Sequence, residues 1–221
     1  MSIHGIVTQE RDFCMAKKRI LCFGDSNTWG YVPNMTTLTR YDEGVRWTSI
    51  LQEKLGAGVR VLEFGLCGCE SGFKNRNKCF NANAQELYPS ILFANLPVDV
   101  VIIMLGTNDL KKQNDWHAGD TARNLQALLA TTRTLSPATK IVLATPVILR
   151  NGIETDAEFS RDAIAQSVTC AQEVADLALA KSIPLFDTNQ YVHELGADGC
   201  HFTPAAHKAF GEAMAKFLQG Q

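Results

Sequence analysis

Residues 98–105 (VDVVIIML) are almost continuously apolar, rich in β-branched side chains, and stop at Gly106. A run of this kind, with almost no polar alternation, suits a strand buried on both faces, as in the middle of a parallel sheet. Residues 140–145 repeat the pattern before Pro146, and shorter runs at 19–23 and 59–64 end at Gly24 and Gly65. Residues 183–186 offer a fifth strand. Helix-like segments fill the intervals at 46–55, 84–94, 120–135 and 155–181. The last opens with Thr155 and Glu158 at capping-box spacing, and Ile164, Val168, Ala171, Ala175 and Ala178 then follow one helical face, which predicts a long crossover helix. Thr203 and Pro204 read as an N-cap and first helical residue, with Phe210, Met214 and Phe217 along the helix they begin. Strand alternating with helix predicts an α/β fold: one mostly parallel, five-stranded sheet with helices on both faces and no linker or repeat dividing it.

The rest of the chain narrows the class. Its 221 residues suit one domain, and 46% hydrophobic against 20% charged residues excludes a disordered or collagen-like chain. A net charge of -2 provides no global basic field for nucleic acid or an anionic membrane. No apolar run nears the ~20 residues that span a bilayer. Arg11, Asp12, Lys17, Lys18 and Arg19 come without the apolar stretch of a secretory signal, so a cytoplasmic location is expected. Met15 reads as a natural start, which makes residues 1–14 dispensable; residues 1–18 are read as an extension ahead of a domain at 19–221. Seven cysteines (Cys14, Cys22, Cys67, Cys69, Cys79, Cys170, Cys200) are an odd, scattered set that reads as reduced thiols. The one-residue spacing of Cys67 and Cys69 does not suit structural zinc, and no metal or cofactor is expected.

In such sheets chemistry gathers at the carboxyl ends of the strands. Gly24-Asp25-Ser26 follows the first strand and offers a hydroxyl as nucleophile; alone such a tripeptide is more often a turn with a helix-capping serine. Asp198 and His201, three residues apart before the final helix, can hydrogen-bond so that the carboxylate fixes the imidazole and the other ring nitrogen serves as base. Asn108, after the third strand, can offer an amide to a developing oxyanion, and Gly68 and Ser26 can offer backbone N–H groups. Each element alone is ordinary loop chemistry, but their occurrence in order at successive strand ends is not coincidental.

These four blocks resemble the SGNH, or GDSL-type, hydrolases, named for the residues matched here by Ser26, Gly68, Asn108 and His201, with Asp198 as the third member of the triad. The match runs from residue 19 to about 218. It is most similar to the small intracellular arylesterase and acyltransferase branch, through residues 20–30 (ILCFGDSNTWG), 45–47 (VRW), 102–109 (IIMLGTND) and 198–203 (DGCHFT). The resemblance implies a flavodoxin-like three-layer α/β/α sandwich, a homo-oligomer, and a serine esterase of short-chain, chiefly acetyl, esters that also transfers acyl groups to alcohols. One departure is Glu63, where many members have Asn two residues before the first glycine of the second block. A non-catalytic flavodoxin-like binding module and a thiol-based redox protein using Cys67, Cys69 or Cys200 stay open as alternatives.

Around this set, Trp29 and Thr107 are the candidate substrate-binding residues, although Trp29 could equally pack beneath a neighbouring loop. Asp25 and Asp109 read as loop supports and His207 as a packing or helix-surface residue; His4, His117 and His193 carry no partner signal. The segments 31–41 and 69–83, the second with Lys74, Arg76 and Lys78, read as substrate-rim or subunit-contact loops, or simply as solvated ones.

Overall fold

The computed structural model describes residues 17–33, 37–74 and 80–220. Residues 1–16, with His4, Cys14 and Met15, and the loop residues Arg76, Lys78 and Cys79 lie outside them. Among the described residues there are five strands: β1 (Lys18–Gly24), β2 (Val59–Gly65), β3 (Val100–Met104), β4 (Lys140–Ala144) and β5 (Leu185–Phe186). Every neighbouring pair is parallel, in the order β2-β1-β3-β4-β5. This is the flavodoxin-like order, in which the chain reverses its direction of travel at β1. Gly24 is in register with Gly65 on one side and Met104 on the other, so three strands end together at that switch point.

Alternate residues of the central strands serve the two faces, as the two-residue period of a strand requires. Ile20, Cys22, Val100, Ile102, Met104 and Val142 pack with Trp47 and Leu51 of α2 (Trp47–Leu55) and Phe210 and Met214 of α6 (Pro204–Gln219). Leu21, Phe23, Val101, Ile103 and Leu143 pack with the helices α3 (Ala84–Asn95), α4 (Asp120–Leu135) and α5 (Ala163–Ala180). Two of these helices, α3 and α6, start where a side chain satisfies a first-turn N–H: the Asn83 side chain accepts from Gln85 N and Thr203 Oγ1 from Ala206 N. Among the described residues no helix is long and apolar enough to cross a membrane.

Three expectations are corrected. Lys18 belongs to β1, so the strand takes in the last residue assigned to the extension, and β5 is two residues shorter than expected. The larger change is at 155–162, where no α-helix forms. Residues Ile153–Thr155 make a 3-10 turn, Thr155 Oγ1 donates to Gly152 O (2.7 Å), and α5 begins only at Ala163. The reason is competition from a distant partner. Phe159 bridges to Lys111 and the Lys112 N–H donates to Glu158 O (2.8 Å), so the backbone is engaged across the fold instead of within a helical turn. The buried face of α5 is correspondingly Ala163, Ser167, Cys170, Ala171, Val174, Leu177 and Ala178, while Val168 is 50% exposed.

Candidate active site

Ser26 opens α1 (Ser26–Trp29), a single turn at the end of β1. The Asp25 side chain caps that turn, accepting from Asn27 N (2.9 Å), and Gly30 closes it in the left-handed region at φ 88. The turn lies against the end of β2 so closely that a Cβ on Gly65 would stand 2.0 Å from Trp29 N, which only glycine tolerates. Burial pushes the Asp25 carboxyl up to about 6, against the Asn27 N–H bond and the field of His201.

The loop between β5 and α6 brings the base to this turn. Ser26 Oγ is 2.9 Å from His201 Nε2, and His201 Nδ1 is 2.9 Å from Asp198 Oδ2. Asp198 Oδ1 also accepts from the backbone N–H groups of Cys200 and His201, both at 3.0 Å. Burial alone would raise the Asp198 carboxyl, but the bonds from His201 and Cys200 outweigh it and hold it below its ordinary value. The ionised carboxylate therefore keeps the proton on Nδ1 and leaves Nε2 as acceptor for the serine hydroxyl. Tyr31 flanks this pair, its ring centroid 4.4 Å from that of His201.

Asn27, which the motif reading passes over, fastens the two halves. Its Nδ2 donates to Cys200 O (3.2 Å) and its Oδ1 accepts from Phe202 N (2.9 Å), so it clasps the peptides on both sides of His201. Its place beside the candidate nucleophile was the available signal, but its partners lie 173 and 175 residues away.

Gly68, buried and in the left-handed region at φ 72, and Asn108, in the 3-10 turn Thr107–Leu110, line the same small cavity as Ser26 and His201. Asn108 Nδ2 donates to Cys69 O (3.2 Å). Asp109 ties the two loops together by accepting from Ser71 N (2.7 Å), the Ser71 hydroxyl and Thr121 Oγ1 (2.8 Å). Burial pushes Asp109 up to about 7, helped by the Glu70 carboxylate and opposed by those bonds. The cavity measures about 150 Å3, and Tyr31, Cys67, Lys111, Asp156, Glu158 and Phe159 complete its wall with Cys200.

Trp29 and Thr107 are absent from that wall. Thr107 is buried. Trp29 carries the Arg40 guanidinium 5.3 Å from its ring centroid, and Arg40 Nε donates to Trp29 O (2.6 Å). Arg40, Arg46 and Thr48 all converge on Glu63, which gives the departure at that position an anchoring role. His207 is a packing residue: Nδ1 accepts from Trp47 N (3.2 Å), Tyr41 and Phe202 meet its ring edge-on, and burial pushes its pKa down to about 3. Burial raises the Cys200 thiol well above its ordinary value, unlike an activated thiolate. A larger cleft of about 340 Å3 lies at the amino ends of the strands, lined by Lys18, Arg133, Lys140 and Lys181, but it contains neither an imidazole nor a carboxylate.

Comparison with known proteins agrees with this geometry. Residues 22–209 match the GDSL-like Lipase/Acylhydrolase family. An aryl esterase from M. smegmatis is 31% identical, with a TM-score of 0.86 over 92% of this chain and 99% of its own. A carbohydrate acetylesterase from Sinorhizobium meliloti is 27% identical, with a TM-score of 0.84 over 92% and 99% of the two chains. No curated protein matches by sequence. A match spanning both the strand that leads to Ser26 and the helix that follows His201 leaves one conclusion: the chain belongs to the GDSL-like lipase/acylhydrolase family of ester hydrolases.

Proposed function

We propose that the protein is a serine esterase of short-chain acyl esters, acetyl esters foremost, acting through an acyl-Ser26 intermediate. The observation that carries this reading is the unbroken chain of contacts from Ser26 Oγ to His201 to Asp198, each step 2.9 Å. Ser26 Oγ attacks the ester carbonyl while His201 Nε2 takes its proton, and Asp198 stabilises the imidazolium. The negative charge that develops on the carbonyl oxygen is received by the backbone N–H groups of Ser26 and Gly68 and by Asn108 Nδ2. Each such donor typically contributes about 3 kcal/mol of transition-state stabilisation. The tetrahedral species collapses, the alcohol leaves with the proton from His201, and the acyl group stays on Ser26. Water then attacks with His201 as base and releases the acid; an alcohol attacking in its place gives acyl transfer.

The cavity volume supports a short acyl chain, since about 150 Å3 is well below the ~300–1,000 Å3 of pockets for drug-sized ligands. The test is Ser26→Ala, assayed with p-nitrophenyl esters of rising chain length and with circular dichroism to verify folding. Hydrolysis of the acetyl ester should fall by at least about 10³-fold with the fold intact. A Ser26→Ala protein that keeps a tenth of the activity would refute the assignment.

A further inference from the structure

Residues 155–162, which the capping-box pattern assigns to a helix, instead contribute Asp156, Glu158 and Phe159 to the wall of the cavity. The bridge from Phe159 to Lys111, the bond from Lys112 N to Glu158 O, and the bond from Lys112 Nζ to Ala157 O (3.0 Å) hold this wall against the loop that carries Asn108. Across the junction Lys111 Nζ meets Glu158 Oε2 at 2.6 Å. The lysine side chain is 6% exposed and the glutamate 45%, so the ammonium is withdrawn into the cavity wall while the carboxylate reaches solvent at its mouth. Asp156 lines the same side.

The reaction proposed above leaves these charges without a task, because proton transfer and oxyanion stabilisation are already supplied. Burying an ammonium beside an ester site is costly unless it is paired and hydrogen-bonded. Glu158 can accept about four hydrogen bonds and Lys111 takes one of them, which leaves lone pairs facing the entrance. An apolar alcohol moiety lying there would strip water from the ion pair and return nothing. A hydroxyl-bearing one would replace that water bond for bond. An anionic one would meet two carboxylates against one ammonium.

We propose that Lys111 and Glu158, with Asp156 beside them, form the alcohol subsite and select acyl esters of hydroxyl-rich alcohols over those of apolar alcohols. The inference rests on the esterase reading and names the substrate class for that site. Its logic is that a site built to hydrogen-bond a hydroxyl rejects the analogue lacking it far more strongly than an apolar pocket discriminates by size.

Two acetates with the same carbon skeleton test it: glycerol 1-acetate and propyl acetate, which differ by two hydroxyls. The wild type should favour the glycerol ester by about tenfold or more in kcat/KM, and Glu158→Ala and Lys111→Met should each cut that ratio by about tenfold. If Glu158→Ala does not fold, Glu158→Gln keeps the length and an acceptor oxygen while removing the charge, and should cut the ratio by about threefold. A wild-type ratio near one, or a ratio that moves less than twofold in the folded variants, overturns the subsite. If the wild type hydrolyses neither ester nor p-nitrophenyl acetate, the esterase reading fails and takes the subsite with it. Ser26-dependent hydrolysis with a flat ratio removes the subsite alone.

Discussion

Replacing Asn27 with alanine should damage both stability and turnover, by amounts the structure allows to be worked out. Asn27 is 3% exposed and its side chain makes two hydrogen bonds, to Cys200 O and from Phe202 N, on either side of His201. Losing two such bonds costs about 1 kcal/mol each, and a buried donor or acceptor left unsatisfied costs about 1–3 kcal/mol. A water entering the vacated volume would recover part of that. The expected loss is therefore about 2–4 kcal/mol, readable as a shift in the urea midpoint. The consequence for catalysis is geometric, because the clasp holds the imidazole 2.9 Å from Ser26 Oγ. Displacements of about 1 Å at a catalytic contact cost about 100-fold. We expect kcat for p-nitrophenyl acetate to fall about 30- to 100-fold with KM nearly constant. Asn27→Asp separates positioning from packing: it keeps the acceptor for Phe202 N, loses the donor to Cys200 O, and adds a negative charge near the imidazole. The acid limb of its kcat/KM profile should move to higher pH. An Asn27→Ala enzyme with kcat within threefold of wild type and under 1 kcal/mol of lost stability would refute the clasp.

Two further predictions concern how the site is held. Gly65→Ala must push β2 away from the nucleophile turn, since its Cβ would meet Trp29 N at 2.0 Å; a loss of at least about 1–3 kcal/mol in thermal unfolding, together with lower kcat, is expected. An unchanged melting temperature would contradict the close approach. Asp109 rises from 3.8 to about 7 in the folded protein, so between those values the native state holds a proton that the unfolded chain releases. Its contribution to stability therefore declines as pH climbs from about 4 to 7. Asp109→Asn should gain stability relative to wild type across that window, and a difference that stays flat with pH would refute the assignment.

What could be read in the residues follows from how local each cause is. Central strands announce themselves because burial on both faces demands a continuous apolar run, as at Val100–Met104, and glycine marks where each ends. The family blocks are legible for a related reason: Ser26, Gly68 and Asn108 follow strand ends directly. Residues 155–162 were not legible, because a capping box is a preference of a few residues and the bridge to Lys111 comes from a segment 48 positions earlier (159 − 111). The same limit hid Glu158 behind its capping-box spacing, and hid Asn27 because its work is done on peptides 173 and 175 residues away. Trp29 drew attention through size and proximity, but it is absent from the cavity wall and carries the Arg40 guanidinium against its ring.

The nucleophile and its base stand 175 residues apart in the chain. On a ribosome adding about 5–20 residues per second, roughly 10 to 35 seconds separate their synthesis. Throughout that interval Ser26 is an ordinary alcohol, too weak a nucleophile to attack an ester without a base. Its partner arrives only when the loop after β5 has been made and docked through Asn27. Acylation is thus denied to every partly built chain, and the first turnover reports that the turn after β1 and the loop after β5 have been joined.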